Sequence, residues 1–204
     1  MLENKVQKYI DVYQIPERRN DSRAISGGAY MGIDLIAQMG TWEQFHDQFQ
    51  EGDERKLHNG LPLIFAAAAN TNPKERYRIF NSLLDRNSDV SALDKQNRSV
   101  LHILLGQVEH DIPELASLCK SMIDHGADIN ALDSRKTVAL KYILNMKYTD
   151  EELSPLYDIW FSQPYLDVNT RDKWGLTPIE YAKKMPYRND AVKRMMKYAY
   201  EKKD

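Results

Sequence analysis

A single cysteine, Cys119, stands in 204 residues. One thiol cannot make an internal disulfide or a thiolate metal site, and its isolation fits a reducing, cytoplasmic setting. Long apolar runs are also missing. The longest, Leu61 to Ala69, falls far short of the ~20 residues that cross a bilayer, so no membrane partner is expected. The opening stretch Met1-Leu2-Glu3-Asn4-Lys5-Val6-Gln7-Lys8 lacks the apolar centre and small-residue cleavage site of a secretion signal, which argues against export. Neither sign of charge dominates: 28 Lys and Arg against 30 Asp and Glu leave a formal net charge of −2. Nucleic acid is therefore not an expected partner. What remains is the composition of a folded globular chain, 42% hydrophobic and 28% charged, long enough to bury a sizeable core.

Within this ordinary composition lies an internal repeat. Ser88-Asp89-Val90-Ser91-Ala92-Leu93-Asp94, Ala127-Asp128-Ile129-Asn130-Ala131-Leu132-Asp133 and Leu166-Asp167-Val168-Asn169-Thr170-Arg171-Asp172 share one pattern, with each aspartate 39 residues from the next. A second motif follows each of them: Asn97-Arg98-Ser99-Val100-Leu101-His102, then Lys136-Thr137-Val138-Ala139-Leu140-Lys141, then Gly175-Leu176-Thr177-Pro178-Ile179-Glu180, again at 39. An earlier copy, Gly60-Leu61-Pro62-Leu63-Ile64-Phe65, lies 37 residues upstream. A fixed period of this size marks a stack of supersecondary units, to be recognised before any element is assigned.

Between these motifs two helical stretches recur. The first is short and apolar on one side, as in Leu63–Ala69, Val100–Gln107 and Val138–Met146. The second carries start signals. Asn72 precedes Pro73 as an N-cap before a first-turn proline, Asp111 precedes Ile112-Pro113-Glu114, Thr149 and Glu152 have capping-box spacing, and Asn189-Asp190 read in the same way. Leu115, Leu118 and Met122 then recur at helical spacing, and Gly126 marks a stop. Two short helices with one apolar side each cannot close a core alone, so copies must stack, and an all-α solenoid is predicted.

These motifs resemble the ankyrin repeat. Thr177-Pro178-Ile179 and Ser99-Val100-Leu101-His102 are similar to its T-P-L-H head, and His125-Gly126-Ala127-Asp128-Ile129-Asn130-Ala131 is similar to its tail. A degenerate copy runs from Leu35-Ile36-Ala37 through Trp42, Phe45 and Phe49. The resemblance covers about five units, at approximately 27–56, 57–93, 94–132, 133–171 and 172–204, within a 26–204 array. Segment 1–25 is set aside as an N-terminal capping helix (Val6, Tyr9, Ile10, Tyr13) and connector. Three units exceed the ~33 residues usual for the family, and the surplus falls between the two helices. The resemblance implies helix-turn-helix units joined by short hairpin-like turns, with His102 hydrogen-bonding the backbone of a neighbouring turn.

No catalytic set emerges. The five histidines, His46, His58, His102, His110 and His125, have no H-E-x-x-H or other metal spacing. Cys119 follows Leu118 on a second helix and is read as a small buried thiol. Gly27-Gly28 and Gly32 are too sparse for a phosphate loop. Cofactors and metals are not expected.

What stands out is the turns. Asp94-Lys95-Gln96-Asn97-Arg98, Asp133-Ser134-Arg135-Lys136 and Asp172-Lys173-Trp174-Gly175 become, by the resemblance, hairpin tips along one edge of a concave groove. Arg and Trp most often dominate binding energy, so Lys95, Arg98, Arg135, Lys136, Lys173 and Trp174 are candidate partner contacts. Tyr148 and Tyr165, aromatics in loops, join them; Tyr157, Trp160 and Phe161 share helical spacing and read as core. Residues 183–204 carry eight Lys or Arg against three acids, as a polar terminal cap would.

The expectation is a monomeric, cytoplasmic, non-enzymatic module that binds another protein through its groove and tips. Its sharper form is an inhibitor or immunity protein directed at a toxin or effector. The competing reading is a small enzyme or ligand-binding protein with its site in the N-terminal segment or the long inter-helix loops.

Overall fold

The computed structural model describes residues 31–202. The expected capping helix, the rest of segment 1–25 and the Gly27-Gly28 turn lie outside the described residues.

Ten α-helices occur among the described residues: α1 (Ile33–Met39), α2 (Trp42–Gln48), α3 (Leu63–Ala68), α4 (Pro73–Leu84), α5 (Val100–Leu105), α6 (Ile112–Asp124), α7 (Ala139–Leu144), α8 (Ser154–Ser162), α9 (Pro178–Ala182) and α10 (Asn189–Glu201). The helical class is as expected. One addition is an antiparallel hairpin of β1 (Leu57–His58) and β2 (Leu61–Pro62), turning at Asn59 and Gly60 with φ of 54° and 83°. Left-handed backbone at both turn residues is what a two-residue hairpin needs, and Asn-Gly adopts it most readily.

Local signals account for most helix ends. Asn72 accepts hydrogen bonds from the Lys74 and Glu75 N–H groups ahead of α4, with Pro73 at its first position. Asp111 accepts from the Glu114 N–H at 3.0 Å ahead of α6. At the other end of α6 the chain turns at Gly126, φ +90°, where Ala127 N–H donates to Met122 C=O and Gly126 N–H to Ile123 C=O. That pair of bonds is a Schellman close, which the missing Cβ permits.

Two expected starts differ. Thr149 and Glu152 form their reciprocal capping bonds at 2.7 and 3.2 Å, but they lead a single turn, and the continuous helix begins at Ser154. Pro155 has no N–H to donate, which breaks the ladder between the box and α8. Asn189 and Asp190 do not cap α10. The Asp190 and Ala191 N–H groups are instead taken by the carboxylate of Asp150, a residue 40 positions earlier.

The helices pack in two rows. Odd-numbered helices follow one another, α1 on α3, α3 on α5, α5 on α7 and α7 on α9; even-numbered helices do the same from α2 to α10. Leu63, Ile64, Leu101, Leu104, Leu140 and Leu144 are buried from the first row, and Phe80, Leu83, Leu115, Leu118, Leu156 and Trp160 from the second. Each such side chain contributes roughly 1.5–3 kcal/mol of burial free energy.

The stretches between α5 and α6 and between α7 and α8, where the surplus residues fall, are held by buried arginines. Arg76 donates to the carbonyls of Asn70, at 2.6 Å, and of Glu109. Arg188 donates to those of Leu144 and Tyr148, each at 2.8 Å, and of Met146, and pairs with Asp150 at 3.3 Å. Every Arg188 nitrogen has a partner, whereas Arg76 Nε is buried without one. A buried guanidinium is tolerated only when most of its donors are met, so the carbonyls of these loops tie them to the neighbouring helices.

Candidate functional site

Three tips precede α5, α7 and α9, and they share one hydrogen-bond pattern. Asp94 Oδ1 accepts from Gln96 and Arg98 N–H, Asp133 Oδ1 from Arg135 and Thr137 N–H, and Asp172 Oδ1 from Trp174 and Leu176 N–H, all at 2.8–3.0 Å. Asn97, Lys136 and Gly175, 39 residues apart, take the left-handed position with φ of 55°, 56° and 78°. Successive tips are bonded to each other: Ser134 N–H donates to Gln96 C=O at 2.7 Å, and Lys173 N–H donates to Arg135 C=O at 2.9 Å. The result is a rigid edge whose exposed side chains stand on fixed backbone.

The second carboxylate oxygen of each tip has a different partner. Asp94 Oδ2 binds the Arg98 guanidinium, at 2.8 Å to Nε and 2.7 Å to Nη2. Asp133 Oδ2 accepts from the Tyr142 hydroxyl at 2.9 Å. Asp172 Oδ2 accepts from the Lys141 ammonium at 2.8 Å, both side chains almost wholly buried. For Asp94 and Asp172 burial opposes ionisation, but hydrogen bonds from the backbone and from Arg98 or Lys141 outweigh it and hold both carboxyls below their usual range. Tyr142 is pushed up to about 12, by burial first and then by the carboxylate it faces.

His102 and Lys141 occupy equivalent positions. His102 Nδ1 accepts from Ser99 N–H at 3.1 Å, so Nε2 carries the proton and donates to Thr137 C=O at 3.0 Å. Lys141 Nζ reaches the corresponding carbonyl, Leu176 C=O, at 2.6 Å. His102 stands edge-on to Tyr142, and Lys141 lies over Tyr181, again 39 residues on. Lysine therefore does at one level what histidine does at the level before.

A cleft of about 420 Å³ opens beside these tips, lined by α5, α7 and α9. Arg135 and Trp174 line it, and Trp174 is 62% exposed with Lys173 Nζ 4.5 Å from its ring. Tyr142, Tyr181, Asn145, Lys147 and Val108 also line it, with the tip carboxylates Asp133 and Asp172. The Tyr181 hydroxyl donates to Asn145 Oδ1 at 2.6 Å.

Of the candidate contacts, Arg135, Lys136, Lys173 and Trp174 come together around the two tips nearest the cleft, and Lys95 is exposed on the tip before them. Arg98 is drawn into its pair with Asp94, and its side chain is 38% exposed. Tyr148 differs from the expectation. Its hydroxyl both accepts from His110 N–H, at 2.8 Å, and donates to His110 C=O, at 2.9 Å, so it is a half-buried strut. Tyr165 is 84% exposed and does not line the cleft. Sequence reasoning missed Lys147 and Val108, which sit in the surplus between helices. It also missed the exposed Leu57, Leu93 and Leu132 of successive tips; the signal for the last two was an apolar residue at one register, 39 apart.

Cys119 is wholly buried, and burial pushes its thiol up, leaving it protonated at neutral pH. Among the described residues no group of His, Cys, Asp and Glu could hold a metal ion, and no helix is long and apolar enough to cross a membrane.

These features define a mostly helical protein with a basic, partly apolar cleft edge. No protein-family model matches the chain, and no curated protein matches it. Among solved structures, the chain is similar to one described as the crystal structure of a functionally unknown protein from Leptotrichia buccalis C-1013-b. The two share 29% identity and a TM-score of 0.74, over 84% of this chain and 94% of that one.

Proposed function

We propose that this chain is an ankyrin-type solenoid of about five helix pairs and that it acts, without catalysis, by binding another protein through the cleft and tips. One observation carries the reading. Three tips with the same internal hydrogen bonding are bonded edge to edge, and they present Lys95, Arg135, Lys136, Lys173 and Trp174 outward from a backbone that does not depend on those side chains. A surface fixed in advance binds with little ordering cost, and an exposed tryptophan beside cations is typical of a contact centre. The two-row order of helices and the single buried thiol support the solenoid and a cytoplasmic setting.

The test is crosslinking of the wild-type chain and of the Arg135→Ala/Trp174→Ala variant in the native cell. A stoichiometric protein partner held by the wild type and lost from the variant is the expected outcome. Equal recovery by both, or no stoichiometric partner, overturns the reading.

A further inference from the structure

We infer that the partner presents an acidic segment to this cleft, with a carboxylate set between Arg135 and Lys147 and an apolar side chain against Trp174 and Val108. The inference rests on the protein-binding reading above and adds the chemistry of the partner.

The argument is one of charge left over. Two carboxylates, Asp133 and Asp172, line the cleft, but both are buried and all four of their oxygens are occupied. Two N–H groups meet each Oδ1, the Tyr142 hydroxyl meets one Oδ2 and the Lys141 ammonium meets the other. Lys141 is neutralised in the same contact. Arg135 and Lys147 are both exposed, and neither side chain has a hydrogen bond or ion pair among the described residues. Asp133 keeps its charge, met only by neutral donors, so any group entering meets two exposed cations against a wall with one buried, fully hydrogen-bonded negative charge, a balance of one positive charge in the cleft. Along the tips the bias continues, since Asp94, Asp133 and Asp172 stand against five basic residues, Lys95, Arg98, Arg135, Lys136 and Lys173; Arg171 beside them is paired with Glu180. The whole chain is slightly acidic, so this basic edge is local. Opposite charge speeds encounter and excludes like-charged partners.

Apolar exposure selects protein over nucleic acid. Val108 is 75% exposed and Trp174 62%, and Leu93 and Leu132 stand exposed on the tips. A phosphate backbone has no use for aliphatic anchors, whereas an acidic peptide with aromatic or aliphatic side chains would cover them.

The experiment selects a displayed library of short random peptides against the full chain, then compares the wild type with Arg135→Glu/Lys147→Glu and with Trp174→Ala. Neither substituted side chain makes a hydrogen bond or ion pair among the described residues, so an unchanged far-UV spectrum is expected of the double variant. Enriched peptides should combine Asp or Glu with aromatic or aliphatic residues. Their affinity should fall at least tenfold in Arg135→Glu/Lys147→Glu, and fall with rising salt. Neutral or basic peptides that are lost from Trp174→Ala but kept by Arg135→Glu/Lys147→Glu overturn the acidic assignment and leave the protein-binding reading standing. Peptides bound equally by all three chains, or no enrichment, overturn both. An oligo-dT probe that binds tighter than any peptide and is lost from the charge-reversed variant assigns the edge to nucleic acid and likewise overturns the inference.

Discussion

Removing Lys141 tests how the tips are held. In Lys141→Met the aliphatic stem is kept and the ammonium is lost, leaving Asp172 Oδ2 without a donor, and Leu176 C=O with only the Asp172 N–H, in a site that is almost sealed from solvent. Breaking a buried pair by deleting one partner costs about 3–5 kcal/mol, because the remaining charge is uncompensated. At this chain length that corresponds to a fall in melting temperature of roughly 6–20 °C. Urea unfolding followed by tryptophan fluorescence measures it, with Trp160 reporting from the core. Adding Asp172→Asn removes the stranded charge and keeps an oxygen for the Trp174 and Leu176 N–H groups, so the double variant should regain about 1–2 kcal/mol.

The pH dependence has a definite sign. The folded-state pKa of Asp172 lies below its ordinary value. Its contribution is therefore complete above the unfolded carboxyl pKa of about 4 and is lost as pH falls through the lower folded value. The gap between wild type and Lys141→Met should thus be widest near neutrality and should close under acid, where no charge is left unpaired. A loss smaller than about 1 kcal/mol at neutral pH, with an unchanged denaturant slope, would refute the claim that this pair anchors the tip.

Three further outcomes follow from other sites. His110 is pushed down to about 4, by burial first and then by the Arg76 charge, and accepts at Nδ1 from the Tyr77 hydroxyl at 3.2 Å. Stability should be full above about 6.5 and decline by up to about 3 kcal/mol as pH falls toward 4; His110→Gln should flatten that decline in part, since His102 is shifted the same way. Lys136 holds a left-handed φ of 56° that Gly175 holds 39 residues later, so Lys136→Gly should raise stability by about 0.5–1 kcal/mol in thermal unfolding. Arg188→Met should cost about 3–5 kcal/mol, and amide exchange across 145–153 should accelerate, because three carbonyls and Asp150 lose one common donor.

Much of this arrangement is legible in the sequence. The aspartates Asp94, Asp133 and Asp172 announce themselves by spacing, and their role as acceptors for two tip N–H groups is what short acidic turns do. The caps at Asn72 and Asp111 and the stop at Gly126 act over three or four residues, so local chemistry suffices to read them. What was not legible acts over longer separations. Nothing near Asp150 says that it caps α10, nor that Tyr148 closes on His110, because both contacts bridge 38 or more residues. The cleft cation Lys147 was hidden for the same reason: it lies in the surplus between α7 and α8, and only the fold of that surplus turns it toward Arg135 and Trp174.

The same comparison explains how repeats can diverge without losing the tip. Each tip needs one aspartate oxygen for its two N–H groups and some donor for the other oxygen. Arg98 supplies that donor from within its tip, and Tyr142 and Lys141 both supply it from α7, Tyr142 to the tip that precedes this helix and Lys141 to the tip of the next unit. Three unlike residues thus satisfy one requirement, and the change from His102 in one unit to Lys141 in the next, which blurs the motif, leaves its geometry intact. Outward residues such as Arg135 and Lys173 take no part in that requirement, and their substitution should alter stability by no more than about 0.5 kcal/mol. Because folding does not constrain these positions, their chemistry is free to vary, and the exposed Arg135 and Lys147, whose side chains have no ion pair among the described residues, are the physical reason to look for an acidic partner beside Trp174.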